Sequence, residues 1–419
     1  MYRSPNGGCP DSSRSRSGYT WLSRTRRFMP RPDSSVVERG PEKAGVGGSI
    51  PSLATILSIT YRVPHQQSRS KTFQSRRSRS NFKRRNTTRV CLARELYAPR
   101  SERGKLPTWG YFPKDVETAD LSSSGWWNSV INRIIDTALA LGVNAVCSPA
   151  IVPSVYPDSY YVQLVEIGAI LLERLRGTGV SPLLTTVVDM NDVAQKGRAL
   201  TIASILTRSE IDRVFLILKN ETEPRRELAD AEQLKGAMKL IACLREAGVE
   251  TLVGFCSSDM LLWKAAGASS CATGKFFNLR RFMLTRFAEP SEGGGQVPYW
   301  FEESLLAFLR QGDIFRIQQR DLFSESTNEN PIVPRILEQI PSGKPWIGLS
   351  WRQYMWWFAN AEGRFDAGAV TPRSLIELAD QNWGRLETPP PKVFLDERNN
   401  DGLWLRQWLR ALEELPFFE

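Results

Sequence analysis

Between residues 107 and 290, short apolar runs alternate with segments whose apolar residues recur at helical spacing. VNAVCSPAIV (143–152), VSPLLTTVVDM (180–190), RVFLILKN (213–220), VETLVGFCSS (249–258) and SSCATGKFF (269–277) predict strands. YYVQLVEIGAILLERLR (160–176), AQKGRALTIASIL (194–206), AEQLKGAMKLIACLREAG (231–248) and DMLLWKAAGA (259–268) predict the helices between them. Five such units in succession imply an α/β domain with a parallel sheet. After a Gly-rich joint, SEGGGQVP (291–298), the pattern turns helical: YWFEESLLAFLR (299–310), WIGLSWRQYMWWFANAEGRF (346–365) and TPRSLIELADQNW (371–383). The last of these starts with Thr371 as cap and proline at the first helical position. A PPP linker (389–391) leads to a final helix in which Leu403, Trp404, Trp408, Leu409 and Leu412 share one face. The chain therefore divides into 1–105, an α/β domain at 106–290, and a Trp-rich helical extension at 291–419.

Composition changes the reading of the first segment. The net charge of +10 suggests a nucleic-acid or membrane-surface partner, but it is unevenly placed. Residues 1–106 carry 23 Lys+Arg against 6 Asp+Glu, and the rest 32 against 39. The excess lies in Arg/Ser runs such as SRSKTFQSRRSRSNFKRRNTTR, whose composition predicts disorder. A nucleic-acid-binding arm and an organelle transit peptide are two readings of it. The six cysteines include no C-x-x-C pair, which favours reduced, buried thiols and a cytoplasmic setting. No run of eighteen apolar residues implies a membrane span.

Residues 33–56, DSSVVERGPEKAGVGGSIPSLATI, give the segment a third reading. Gly48-Ser49-Ile50-Pro51 fits one frame of the TψC-arm consensus GGTTCGANTCC, and Leu53 to Ile56 can be written with the terminal ACCA. The stretch resembles accidental translation of a bacterial transfer-RNA gene. That resemblance implies a true start downstream of Ile56, an unselected segment from Met1 to about Leu106, and a neighbourhood typical of a mobile element.

VETLVGFCSSDMLLWKAAGASSCATGKFFNLRRF (249–282) resembles the last two units of a TIM (β/α)8 barrel. There, strand ends and a short helix closing on Gly-Ala commonly hold a ligand phosphate. The matching positions are Ser257, Ser258, Thr273 and Gly274, followed by Lys275, Arg280 and Arg281. The resemblance implies an anionic small molecule or nucleotide as partner, with Gly274 letting a backbone N–H approach it. A full barrel needs eight strands and this domain supplies five, with SLATILSITYRV (52–63) and RVCLAREL (89–96) the upstream candidates. The expected fold is a partial or degraded TIM-like barrel with a helical extension, and an open doubly wound parallel sheet is the alternative.

The chain's one histidine, His65, lies in the first segment, so histidine-dependent triads and zinc sites are not expected in the folded region. Strand ends offer other groups: Tyr156 and Asp158, then Asp189, Asn191 and Asp192, then Lys219, Asn220 and Glu221, then Cys256 and Asp259. Counted from the last strand as the eighth, Lys219 ends the sixth. Lysine-Schiff-base aldolases, which this arrangement resembles, carry their nucleophile there. The expectation is a Lys219 whose pKa is lowered by an apolar strand, with Asp189 as acid or base. A lyase, aldolase-like or transferase-like enzyme follows. Asp189, Asp192 and Glu221 as a divalent-metal set is a weaker reading, and the sequence names no cofactor. The competing class is a binding or assembly module whose aromatic C-terminal helices, with Trp351, Trp356 and Trp357, form a homo-oligomer or ligand surface; a truncated gene remnant is the third.

Overall fold

The computed structural model describes residues 58–60, 119–274, 276–284, 297–388, 390–396 and 401–414. The Arg/Ser segment, the transfer-RNA-like stretch, His65 and Lys275 lie outside them. The described residues fall within one compact unit, Val46–Glu419.

In chain order the first elements are β1 (Ser58–Thr60), α1 (Ser124–Leu141), β2 (Ala145–Cys147), β3 (Ala150–Val152) and α2 (Asp158–Leu175). Next come β4 (Ser181–Asp189), α3 (Arg198–Leu206), β5 (Arg213–Lys219), α4 (Ala231–Glu246), β6 (Glu250–Gly254), α5 (Met260–Ala265) and β7 (Ser270–Cys271). The strands pair in parallel in the order β2, β4, β5, β6, β7. Among the described residues these five strands lie in chain order, and β3 stands outside this sheet. β5 is buried at every position from Val214 to Lys219, the burial expected of a parallel strand covered on both faces.

The predicted first strand is broken. Pro149 cannot donate to the ladder, and at Ser148 the hydroxyl replaces the strand backbone by accepting the Thr185 N–H at 2.9 Å. Past the break, β3 pairs in parallel with β1, Ser58 opposite Ala150. α1 was not among the sequence expectations. Ser123 caps it by accepting the Trp126 N–H, left-handed Gly142 ends it, and Trp127, Ile131 and Ile135 are buried in a small core with α2.

The C-terminal region is mostly helical, with one correction. Residues 299–310 are not a helix but an antiparallel hairpin, β8 (Trp300–Glu302) and β9 (Ala307–Leu309). Leu306 takes φ +49°, and the buried Glu302 carboxylate accepts the Ser304 N–H inside the turn. Every residue from Tyr299 to Leu309 is buried, so no solvent-facing phase distinguishes helix from strand here. Then follow α6 (Gln311–Gln319), α7 (Glu325–Glu329), α8 (Val333–Gln339), α9 (Ile347–Asp366), α10 (Pro372–Glu387) and α11 (Leu403–Glu413). Thr371 does cap α10, accepting the Ser374 N–H at 3.2 Å. All of these helices except the polar α7 share one continuous apolar core with the sheet. In α11, Trp408 is fully buried and its indole N–H donates to Leu228 O at 2.6 Å. Among the described residues, no helix is long and apolar enough to cross a membrane, and the cysteines Cys147, Cys243, Cys256 and Cys271 are free thiols.

Candidate functional site

Parallel strands bring their C-terminal ends to one edge, and two polar clusters form there. The first follows from register: Asp189 and Lys219 are paired positions on β4 and β5. Lys219 Nζ lies 2.7 Å from Asp189 Oδ2 and 3.2 Å from Glu221 Oε1. Asp189 Oδ1 also accepts the Asn191 N–H at 2.9 Å, starting a single helical turn, Met190–Val193. The lysine is 8% exposed. Burial works to lower its pKa, but the hydrogen bonds and charges of Asp189 and Glu221 outweigh this and hold it above the ordinary lysine value. The expected lowering is thus reversed, because the strand end is lined by carboxylates rather than apolar groups.

Beside this pair, Arg198 donates to Asp192 at 2.9 Å, to Asp158, and to the Tyr156 carbonyl. The Tyr161 hydroxyl also reaches Asp192, at 3.4 Å. Arg198 had no signal in the sequence, where it lies inside the predicted 194–206 helix; in the structure it opens α3. The three carboxylates of the metal reading are separated by these contacts, Asp189 and Glu221 on Lys219 and Asp192 on Arg198. Among the described residues no three such ligands converge on a metal position. Asn220 extends the network, donating to Gln233 Oε1 at 2.7 Å, and Gln233 donates to Asn191 Oδ1 at 2.8 Å.

The second cluster contains the phosphate-cup positions, and they are turned inward. Ser257, Ser258, Arg280 and Arg281 are all at most 3% exposed. Arg281 donates to Arg226 O at 2.9 Å and faces Asp259 at 3.5 Å and Glu227 at 3.8 Å. Arg280 donates to Gly274 O, with its guanidinium 3.6 Å from the Tyr354 ring centroid and close to Phe308 and Phe277. Burial lowers its pKa to about 10. Thr273 donates to Cys256 O at 2.6 Å and lies 3.1 Å from the Tyr354 hydroxyl. Gly274 is needed for its own chain rather than for a ligand, since a Cβ there would stand 2.2 Å from Leu279 Cβ. The cavity beside Asp259, Arg281, Asn220 and Gly254 has room of about 10 Å³, enough for one water.

The side chain of Glu227, also unforeseen, is buried; desolvation raises its pKa to about 7 against the opposing pull of Arg281. It comes from a loop, where no periodicity marks a residue for burial. Of the C-terminal tryptophans, Trp357 is buried and donates to Glu303 at 2.7 Å, while Trp351 meets Phe276 edge-on at 4.9 Å.

Compared with known proteins, the chain matches no family model, no curated protein and no solved structure.

Proposed function

We propose that this chain is an enzyme of (β/α)-barrel descent that performs proton transfer on a small polar molecule at the Lys219–Asp189–Glu221 cluster. The observation that carries the reading is the register pairing of Asp189 with Lys219 on adjacent strand ends, which sets a buried ammonium 2.7 Å from a carboxylate. A lysine kept protonated is a hydrogen-bond and proton donor to an oxygen that gains charge, with half-exposed Glu221 as the acceptor facing solvent. A barrel origin is supported by the sequential parallel order of β2, β4, β5, β6 and β7 among the described residues.

Charge points the ligand away from phosphate. Two cations, Lys219 and Arg198, stand against four carboxylates, Asp158, Asp189, Asp192 and Glu221. A neutral or amine-bearing hydroxylated molecule fits that edge better than a dianion, and the arginines of the phosphate-cup positions are engaged within the protein. The reading is tested by saturation-transfer NMR with D-glucosamine, D-glucose and D-glucose 6-phosphate. Binding of the amine or neutral sugar, lost in Lys219→Met and Asp189→Asn, supports it. Preference for the phosphate restores the anionic ligand, and binding indifferent to both substitutions moves the site elsewhere.

A further inference from the structure

The side-chain amides around the first cluster form a relay whose direction is set at its inner end. There the buried Asn220 turns its Oδ1 to the Thr222 backbone N–H at 2.6 Å, a donor that cannot be reversed. Its Nδ2 must then face the other way, and it donates to Gln233 Oε1 at 2.7 Å. Gln233 is held in place by the cap of α4, its own backbone N–H lying 3.0 Å from Asp230 Oδ1. With Oε1 engaged, Gln233 offers Nε2 to Asn191, whose Oδ1 accepts it at 2.8 Å. An amide that accepts through its oxygen on one side presents its nitrogen donors on the other. The relay therefore ends on Asn191 Nδ2, at an exposed residue. The same contacts close a ring through the candidate site. Asp189 takes the Asn191 N–H on Oδ1 and the Lys219 ammonium on Oδ2, and Lys219 and Asn220 are successive residues.

From this ring we infer that Asn191 is a specificity-determining residue, its Nδ2 donating to a hydroxyl oxygen of the ligand held at Lys219, and that Gln233 is the positioning residue that sets this polarity. The inference rests on the site proposed above and narrows its ligand class. Lys219 and Asn191 are both donors, so the ligand presents two acceptor oxygens, as a polyol does. An ammonium brought to Asn191 would meet a donor and is disfavoured there; an amine is left to the exposed carboxylates Asp158 and Glu221.

The probes are D-glucose and D-glucosamine, titrated against protein isotopically labelled at the asparagine side-chain nitrogen. The Asn191 amide signals are those lost in Asn191→Ala. Saturating sugar is expected to shift them, and Asn191→Ala to weaken Kd about five- to tenfold. Gln233→Glu tests the direction of the relay: its carboxylate accepts from Asn220 but cannot donate, so Asn191 turns over and offers Oδ1 to the ligand. The preference should then move about fivefold from D-glucose toward D-glucosamine, and adding Asn191→Ala should cancel the change. An unchanged preference, or a change that survives Asn191→Ala and so reflects the added charge itself, overturns the relay. Amide signals unmoved by saturating sugar, or equal affinity of wild type and Asn191→Ala while Lys219→Met abolishes binding, overturn the role of Asn191 and leave the site standing. Refusal of both sugars by the wild type overturns both.

Discussion

At the scale of single residues, two buried ionisable groups behave in opposite ways. Lys219 is kept charged by Asp189 and Glu221, which makes it a poor nucleophile at neutral pH, because attack on a carbonyl needs the free amine. Borohydride reduction with pyruvate or glyceraldehyde 3-phosphate at neutral pH is therefore expected to leave the intact mass unchanged; an adduct mapped to Lys219 would show that the ion pairs do not hold the proton. Glu227 is instead held toward its neutral form, with a pKa of about 7 in the fold against about 4.3 for a solvated glutamate. A raised folded-state pKa means that the native protein binds the proton more tightly. This stabilisation is complete below pH 4.3 or so and is lost as pH rises through about 7. Glu227→Gln should remove up to about 3 kcal/mol of the pH dependence between pH 5 and 8, read as converging urea midpoints at the two pH values. A slope as steep in the variant as in the wild type would assign the proton to another group.

Elements show where periodicity was enough and where it was not. β4, β5 and α4 were legible because each holds one pattern over many residues and ends on a clear signal, such as Asp230 accepting the Gln233 N–H to cap α4. The 299–310 hairpin was illegible because burial on all sides removes any polar phase, and its turn is organised by contacts remote in sequence. Glu302 accepts from Ser324 N, Thr327 Oγ1 and Trp300 Nε1 as well as Ser304 N. The phosphate-cup reading failed to foresee inward pairing for a similar reason: whether Arg280 is free depends on Tyr354 and Phe308, which arrive from the C-terminal region. By contrast, the Asp189–Lys219 juxtaposition was legible, since both residues end predicted neighbouring strands. One close approach between elements also bears on this site. A Cβ on Gly236 of α4 would stand 2.2 Å from the Val193 carbonyl oxygen, in the turn that begins at Asp189. Backbone cannot rotate away as a side chain can, so Gly236→Ala should cost about 1–3 kcal/mol and weaken ligand binding at Lys219 as well. Unaltered stability by thermal unfolding would mean that α4 is free to shift outward.

On the scale of the whole molecule, sequence texture separated an α/β domain from a helical extension, but the apolar core does not respect that boundary. Leu234, Met238 and Ile241 of α4 belong to the same cluster as Trp404, Leu405 and Trp408 of α11, Trp357 of α9 and Trp300 of the hairpin. A shared core makes the two regions one folding unit, because neither can bury its apolar surface without the other. Equilibrium unfolding followed by far-UV circular dichroism and by tryptophan fluorescence should give coincident transitions, although many tryptophans lie in the C-terminal region and much of the strand content lies upstream. Trp408 is the sharper probe: fully buried, it also carries a 2.6 Å hydrogen bond to the loop before α4. Trp408→Ala should cost about 3–5 kcal/mol and move both transitions together. A variant whose fluorescence transition fell while its far-UV transition stayed in place would mean that the helical extension unfolds by itself, and the C-terminal tryptophans would then be a docked layer rather than half of the core.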